Sequence, residues 1–329
     1  SIVRCSSAFA GEGSETVSVR FCLTISLLIV ALVSVTTAHA AVVRVPEDSL
    51  KIQHAIDVAD PGDTIEVGPG TWREVIDLRG KSVLLLGKEG AKKTIIDGTG
   101  KGDSVVRCVT NEGPGTVIQG LTLTGGTGHA GLHGKNLSLG GGMLALGASP
   151  TLRDCIIVNN SATGNGGGVY CGTGADVRFE KCVFKGNSAE KGGGVLCVGS
   201  KPVFDRCLFE KNTARYSGGG LYAARGSDPT VRSSRFELNR AAYNGGGICT
   251  LDAAGEVLDT VFERNRAVTS GGAIYSGWRA TLSASACRFN DPGDTVVGGT
   301  SLTRRDLRRG ACDLGEQICV VAEERDCLA

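Results

Sequence analysis

Tyr170, Tyr222 and Tyr275 hold the same place in alternate copies of one phrase, directly after a glycine run and a single aliphatic residue. In the intervening copies that place holds Leu144, Leu196 and Cys249. In a strand whose aliphatic residue points inward, the next side chain points outward. The three rings then stand two strand spacings apart, about 10 Å, a separation comparable to a disaccharide unit of an extended glycan. Rings held on a rigid sheet present an apolar face with a polar tip and lose little entropy on binding, which suits stacking on sugars. The expected chemistry is carbohydrate recognition by Tyr170, Tyr222 and Tyr275. A packing stripe running across coils and covered by a loop is the competing arrangement.

Other reactive residue types lead to weaker expectations. Glu210, Glu237 and Glu263 recur at one position of the phrase, and such rows are usually solvated surface ion pairs rather than acid–base catalysts. His129 and His133 are four apart in a stretch of about eight extra residues ahead of Gly140, where insertions in stacked-coil proteins form loops on one face. Glycines on both sides make a helix unfavourable there, so the spacing does not hold two imidazoles on one face; no metal and no cofactor is expected. The chain has thirteen cysteines. Cys155, Cys182 and Cys207 share one repeat position, and Cys171 and Cys197 share another. Neighbouring coils bring such pairs to about 4.8 Å between Cα atoms, within disulfide reach, but buried cysteines also pack as small free thiols, and the second arrangement is expected. Cys312, Cys319 and Cys327 are expected to staple a C-terminal cap.

The elements that position these residues follow from the repeat itself. Its first half reads Cys182-Val-Phe184-Lys-Gly-Asn187-Ser-Ala, with close copies beginning at Cys155, Cys207, Ser234 and Thr260; its second half is the glycine run, beginning at Gly140, Gly166, Gly192, Gly218, Gly245 and Gly271. These starts are 26, 26, 26, 27 and 26 residues apart. A fixed period in this range means stacked units, none of which buries its apolar face alone. Apolar residues alternate within each unit, which is strand spacing, and nothing helical fits between phrases. The expected fold is all-β, a right-handed parallel β-helix with a short N-terminal capping helix. Phe184, Phe209, Phe236 and Phe262 share the inward parity of the cysteine position and should stack in line. The repeated Asn is expected to make a tight turn in left-handed geometry, and its amide to bond its copies in neighbouring coils.

Ahead of the repeats, Ile52, Ala55, Ile56 and Ala59 fall at helical spacing, with Asp48 or Ser49 as N-cap and Pro61-Gly62 as the stop. This short helix is expected to cover the open end of the stack. Residues 21 to 35 are apolar, follow Arg20 and precede Ala38-His39-Ala40, the pattern of a secretory signal peptide, shorter than a comfortable membrane span. The expected division is 1–40 for an upstream segment and leader, 41–63 for the N-terminal cap, 64–290 for a β-helix of about nine coils, and 291–329 for a C-terminal cap or tail, with Arg304 to Arg309 as a charged connection. A formal net charge of +1 gives no balance favouring nucleic acid.

The stretch Gln53-His-Ala-Ile-Asp-Val-Ala-Asp-Pro-Gly-Asp-Thr-Ile-Glu-Val-Gly-Pro-Gly-Thr-Trp72, followed by Ile95-Ile-Asp-Gly98, resembles the opening of secreted right-handed parallel β-helix proteins, the pectin-lyase-like superfamily that includes pectate lyases, polysaccharide epimerases and NosD-type copper-maturation proteins. The glycine-run and Phe-x-x-Asn phrases are similar to those of chlamydial polymorphic outer-membrane proteins. The resemblance covers about residues 42 to 290 and implies the fold; one fold hosts many activities. The Arg-x-x-Pro-x-x-Arg pattern of pectate lyases is absent, and of the polygalacturonase set there is a lone Gly128-His129. The expected function is recognition of extracellular carbohydrate or another surface ligand by an exported protein, secreted or held at the cell surface or in the periplasm. A polysaccharide lyase or epimerase and a structural adhesin-like protein are the alternatives. Outward carboxylates clustered with Arg or Lys would favour the enzyme.

Overall fold

The computed structural model describes residues 40–131, 137–298 and 308–309. The leader expected within residues 1–40 falls almost wholly outside these, as do His133, Cys312, Cys319 and Cys327. Among the described residues no helix is long and apolar enough to cross a membrane.

Each repeat lays down one strand in each of three long parallel sheets before the chain climbs to the next coil. Sheets A and B each hold ten described strands and sheet C nine, and a fourth, short sheet of four strands runs along one corner. In one coil, Arg178–Glu180 lies in sheet A, Val183–Lys185 in sheet B, Ser188–Ala189 in the corner sheet and Val195–Val198 in sheet C. The stacking runs further at both ends than the sequence suggests. Val42–Val45 pairs in parallel with Thr64–Val67, Val296–Gly298 with Ile274–Ser276, and the backbone of Arg308–Arg309 with Arg288–Phe289. The coils therefore number about ten, not nine. The first strand lies in the stretch expected to form the cap, yet it joins the stack ahead of the helix, so the helix interrupts a coil already begun.

Alternation fills the interior. Phe184, Phe209, Phe236 and Phe262 are fully buried and stacked, with centroids 4.7, 4.3 and 5.2 Å apart, and Phe289 extends the column by another 5.2 Å. Phe179 and Phe204 form a second stack at 5.0 Å and meet the first edge-on. Such ring pairs add to the burial of the apolar area itself, which dominates the stability of the coil.

The repeated Asn departs from expectation in one respect. The residue before it takes the left-handed conformation: Asn159, Gly186, Lys211, Leu238 and Arg264 have φ between 53° and 63°. Side-chain type there is set by solvent, because the strained residue sits on the outside of the corner. Asn160, Asn187, Asn212, Asn239 and Asn265 turn inward instead and are buried. Each Nδ2 donates to the next Oδ1, at 3.2, 3.0, 3.0 and 2.9 Å, and each also donates to a core-strand carbonyl. Each Oδ1 from Asn187 onward accepts in addition the backbone N–H of the preceding Asn. Asp294 ends the column, accepting from Asn265 Nδ2 at 3.1 Å and from the backbone N–H groups of Asn265 and Arg264. Burial pushes its carboxyl up to about 6, against the pull of those three donors.

The helix α1 spans Ile52–Val58, shorter than the sequence pattern, and buries Ile52, Ala55 and Ile56. Neither Asp48 nor Ser49 caps it: Lys51 is the N-cap residue, without a side-chain cap bond. The cap arrives from the next coil, where the Glu74 carboxylate accepts from the N–H groups of Ile52 and Gln53 at 3.1 and 3.2 Å. At the other end Lys81 Nζ donates to the carbonyls of Ile56, Asp57 and Ala59 at 2.8, 2.7 and 2.7 Å. Both charges oppose the helix dipole, and together they satisfy groups a helix leaves bare. Lys81→Met, which keeps the stem and removes the ammonium, should lower stability by about 1 kcal/mol, measurable as a reduced urea midpoint at unchanged slope.

Candidate functional site

The outward row of sheet C carries the three predicted tyrosines. Parallel register places Leu144, Tyr170, Leu196, Tyr222, Cys249 and Tyr275 on successive rungs, with their neighbours Val169, Val195, Leu221, Ile248 and Ile274 facing the core. Direction is as expected; exposure is not. Tyr170 and Tyr222 keep 4% and 5% of their surface, and only Tyr275 is partly open. The row packs with Leu139, Leu146, Val198 and Leu251 as a second, smaller apolar cluster outside the main core. Two features sink the rings. The rings of Tyr170 and Tyr275 lie along their own strands over Gly172 and Gly277, where an added Cβ would strike them. The segment before each strand also folds back over the row: the first glycine of each run, left-handed at Gly192 and Gly218, lies against Leu196 and Tyr222. Lys191 Nζ sits 5.8 Å from the Tyr222 ring centroid. Burial pushes the Tyr222 hydroxyl well above its ordinary range and raises that of Tyr170. The platform of three solvent-facing rings is thus corrected at Tyr170 and Tyr222, where packing under the glycine segment removes the faces on which a sugar would lie, while Tyr275 stays partly open.

The same row, followed towards the N-terminus, changes character. Leu144 pairs with Arg107, and Arg107 with Asp77, so the apolar stripe ends in charge on its last two rungs. Arg107 reaches Asp77 Oδ2 at 3.0 Å with one terminal nitrogen and Asp103 Oδ2 at 3.1 Å with the other. His129 Nδ1 lies 2.9 Å from Asp103 Oδ1. A carboxylate only accepts, so this nitrogen carries the hydrogen and Nε2 is left as the imidazole's other contact point. The remaining oxygens are spoken for by backbone: Asp77 Oδ1 accepts from Arg79 N–H, and Asp103 Oδ1 also from Ser104 N–H. Helix α1 fixes the Asp77 backbone, as Gln53 accepts from its N–H at 2.7 Å and donates to its carbonyl at 3.2 Å. His129 comes from a small hairpin in which His129–Ala130 pairs antiparallel with Ser138–Leu139, the inserted stretch singled out in the sequence. All four side chains are partly open, from 13% at Asp77 to 34% at His129. The arrangement presents fixed acceptors, a planar cation and an imidazole at one spot on a rigid sheet.

The other candidates resolve as structure. Glu210, Glu237 and Glu263 form a surface ion-pair network with Lys185, Lys211, Arg235 and Arg264. The Lys185 hydrogen bond holds the Glu210 carboxyl below its usual range. Cys108, Cys155, Cys171, Cys182, Cys197, Cys207, Cys249 and Cys287 are buried free thiols, and burial pushes Cys207 up to about 12 and Cys287 to about 11. Among the described residues no group of three or more metal-ligating side chains converges.

Asp77, Asp103 and Arg107 escape a reading built on the repeat, since they lie in the irregular early coils and are separated in sequence by up to thirty residues. Strand parity was enough to find two of them: aligning Ile76-Asp77 with Val106-Arg107 and Met143-Leu144 puts charges in a row that elsewhere is apolar.

The sequence profile of the family described as right handed beta helix region matches residues 140–289. No curated protein matches the chain. Among solved structures, pectin methylesterase from carrot is similar at 14% identity and a TM-score of 0.48, over 84% of this chain and 90% of that one. The regular coils from Gly140 to Phe289, the stacked strands on both sides of them and the family match agree: the chain is a right-handed parallel β-helix protein.

Proposed function

We propose that this is an exported β-helix protein that recognises polysaccharide outside the cell, holding sugar hydroxyls at Asp77, Asp103, Arg107 and His129. The observation that carries the reading is the position of this cluster at the end of the outward row of sheet C, with every member fixed by a neighbour. Carboxylates steadied by a guanidinium accept from paired hydroxyls, the guanidinium edge and imidazole supply the complementary contacts, and a rigid sheet keeps the ordering cost low. The apolar pattern of residues 21 to 35 supports export. The test is a glycan array probed with the protein and with Arg107→Ala. Binding of one glycan class should weaken by about tenfold to a hundredfold on loss of charge-assisted hydrogen bonds. Equal binding by both proteins would remove the cluster from the reading.

A second reading rests on the Asp103–His129 pair. An imidazole oriented through Nδ1 by a carboxylate is placed to act as a general base through Nε2, which suits a polysaccharide lyase or epimerase. Unsaturated sugar appearing in solution, and lost with His129→Ala, would favour the enzyme over the binder.

A further inference from the structure

Of the two tyrosines outside the predicted row, Tyr243 is exposed and Tyr216 half-buried. Tyr216 and Tyr243 lie on consecutive coils, two residues before a glycine run, with ring centroids 5.8 Å apart and planes inclined by 23°. Tyr243 keeps 52% of its surface. The Tyr243 N–H donates to the Tyr216 carbonyl at 2.8 Å, so the pair is carried on hydrogen-bonded backbone rather than on a loose loop. Three residues back along each coil is the short corner sheet, where Thr213 pairs with Arg240. There Lys211, Thr213, Leu238 and Arg240 line a depression of about 330 Å³.

Charge and shape in this place differ from the cluster on sheet C. Leu238 gives the depression an apolar wall, Thr213 a hydroxyl, and Lys211 and Arg240 two exposed cations. Lys211 shares Glu210 with Lys185, while Arg240 has no ion pair among the described residues. A third cation, Arg215, lies over the Tyr216 ring at 5.8 Å and reaches Glu190 only at 4.0 Å. The floor is rigid, because the N–H groups of Thr213 and Arg240 donate to the backbone carbonyls of Asn187 and Asn212 within the buried amide column. Thr213 and Tyr216 are three residues apart, about 10 Å along the chain, which spans two sugar rings.

We infer that this coil edge is a second ligand site, one for an acidic saccharide: the anionic group enters the depression between Lys211 and Arg240, and a neighbouring ring lies against Tyr243. The cations provide charge-assisted contacts to carboxylate or sulfate oxygens, and the tyrosine edge provides an apolar face beside a polar tip. This site stands independently of the Asp77–Arg107 cluster, whose two carboxylates would repel the same ligand.

Calorimetry at low salt with trigalacturonate, a sulfated chondroitin tetrasaccharide and neutral maltotriose tests it. Trigalacturonate should bind, more weakly as salt rises, since exposed charge pairs are screened. Binding of the sulfated probe as well would support recognition by charge; its absence with trigalacturonate bound would support a carboxylate-specific site. Lys211→Met with Arg240→Gln, which keeps the side-chain stems, should weaken binding at least about tenfold, and Tyr216→Ala with Tyr243→Ala should weaken it independently. Three results would overturn the inference: no binding of either anionic probe, equal binding of maltotriose, or binding lost in Arg107→Ala but retained without Lys211 and Arg240. The last would assign the acidic ligand to sheet C and leave the first site standing.

Discussion

Asn212→Leu should destabilise the protein by about 2.5–7.5 kcal/mol, because it leaves the buried Asn187 N–H without its acceptor, at about 1–3 kcal/mol, and removes three further hydrogen bonds of the column at about 0.5–1.5 kcal/mol each. Asn212 Oδ1 accepts from both the backbone N–H and Nδ2 of Asn187, each at 3.0 Å, and its own Nδ2 donates to the Phe184 carbonyl at 2.8 Å. Leucine is similar in size, so packing changes little and the loss reports the hydrogen bonds. Urea unfolding gives the magnitude, and amide exchange gives the place: protection should fall first at Asn187 and Thr213. A loss below about 1 kcal/mol would mean that the column is not a stability element and that water reaches the corner.

Phe209→Ala is expected to cost about 3–5 kcal/mol, the usual range for truncating a fully buried ring. Its ring meets Phe184 at 4.7 Å, Phe236 at 4.3 Å and Phe204 at 5.4 Å, so neighbours on three sides face the resulting cavity. Phe289, at the end of the column and only partly buried, should lose much less on the same substitution. Comparison of the two variants by thermal unfolding checks the gradient; equal losses would show that position in the stack does not matter. Because each coil touches only its neighbours, the damage should remain centred on the coils carrying residues 184 to 236.

What could be read from the chain tracks what repetition dictates. The period, the strand parity and the inward line of Phe184 to Phe262 follow from residues that recur, and recurrence is what a stacked coil imposes. The amide column was legible for the same reason. Which residue bends the corner was not, because Lys211, Leu238 and Arg264 adopt positive φ without any sequence mark of it. The caps of α1 come from Glu74 and Lys81, more than twenty residues from the groups they satisfy, and no local pattern announces them. Parity gives the outward direction of the tyrosines but not the burial of Tyr170 and Tyr222, since it says which way a side chain points and nothing about a glycine segment laid over it. Asp77, Asp103, Arg107 and His129 meet only because coils of unequal length bring them to one edge.

Asp294 gives the amide column a direction. One Nδ2–H of each Asn points to the Oδ1 of the next, toward higher residue numbers, while the other reaches back to a strand carbonyl of the preceding coil, so the amide-to-amide bonds from Asn160 to Asn265 all run in one direction. A carboxylate stands at the end they run toward. The column therefore has a built-in stop. A further Asn-bearing coil inserted between Asn160 and Asn265 would join the series without disturbing either end. One appended beyond residue 294 would meet an acceptor where it needs a donor. Extension of the amide column is thus blocked beyond Asp294, although the strands themselves stack on to Arg308–Arg309.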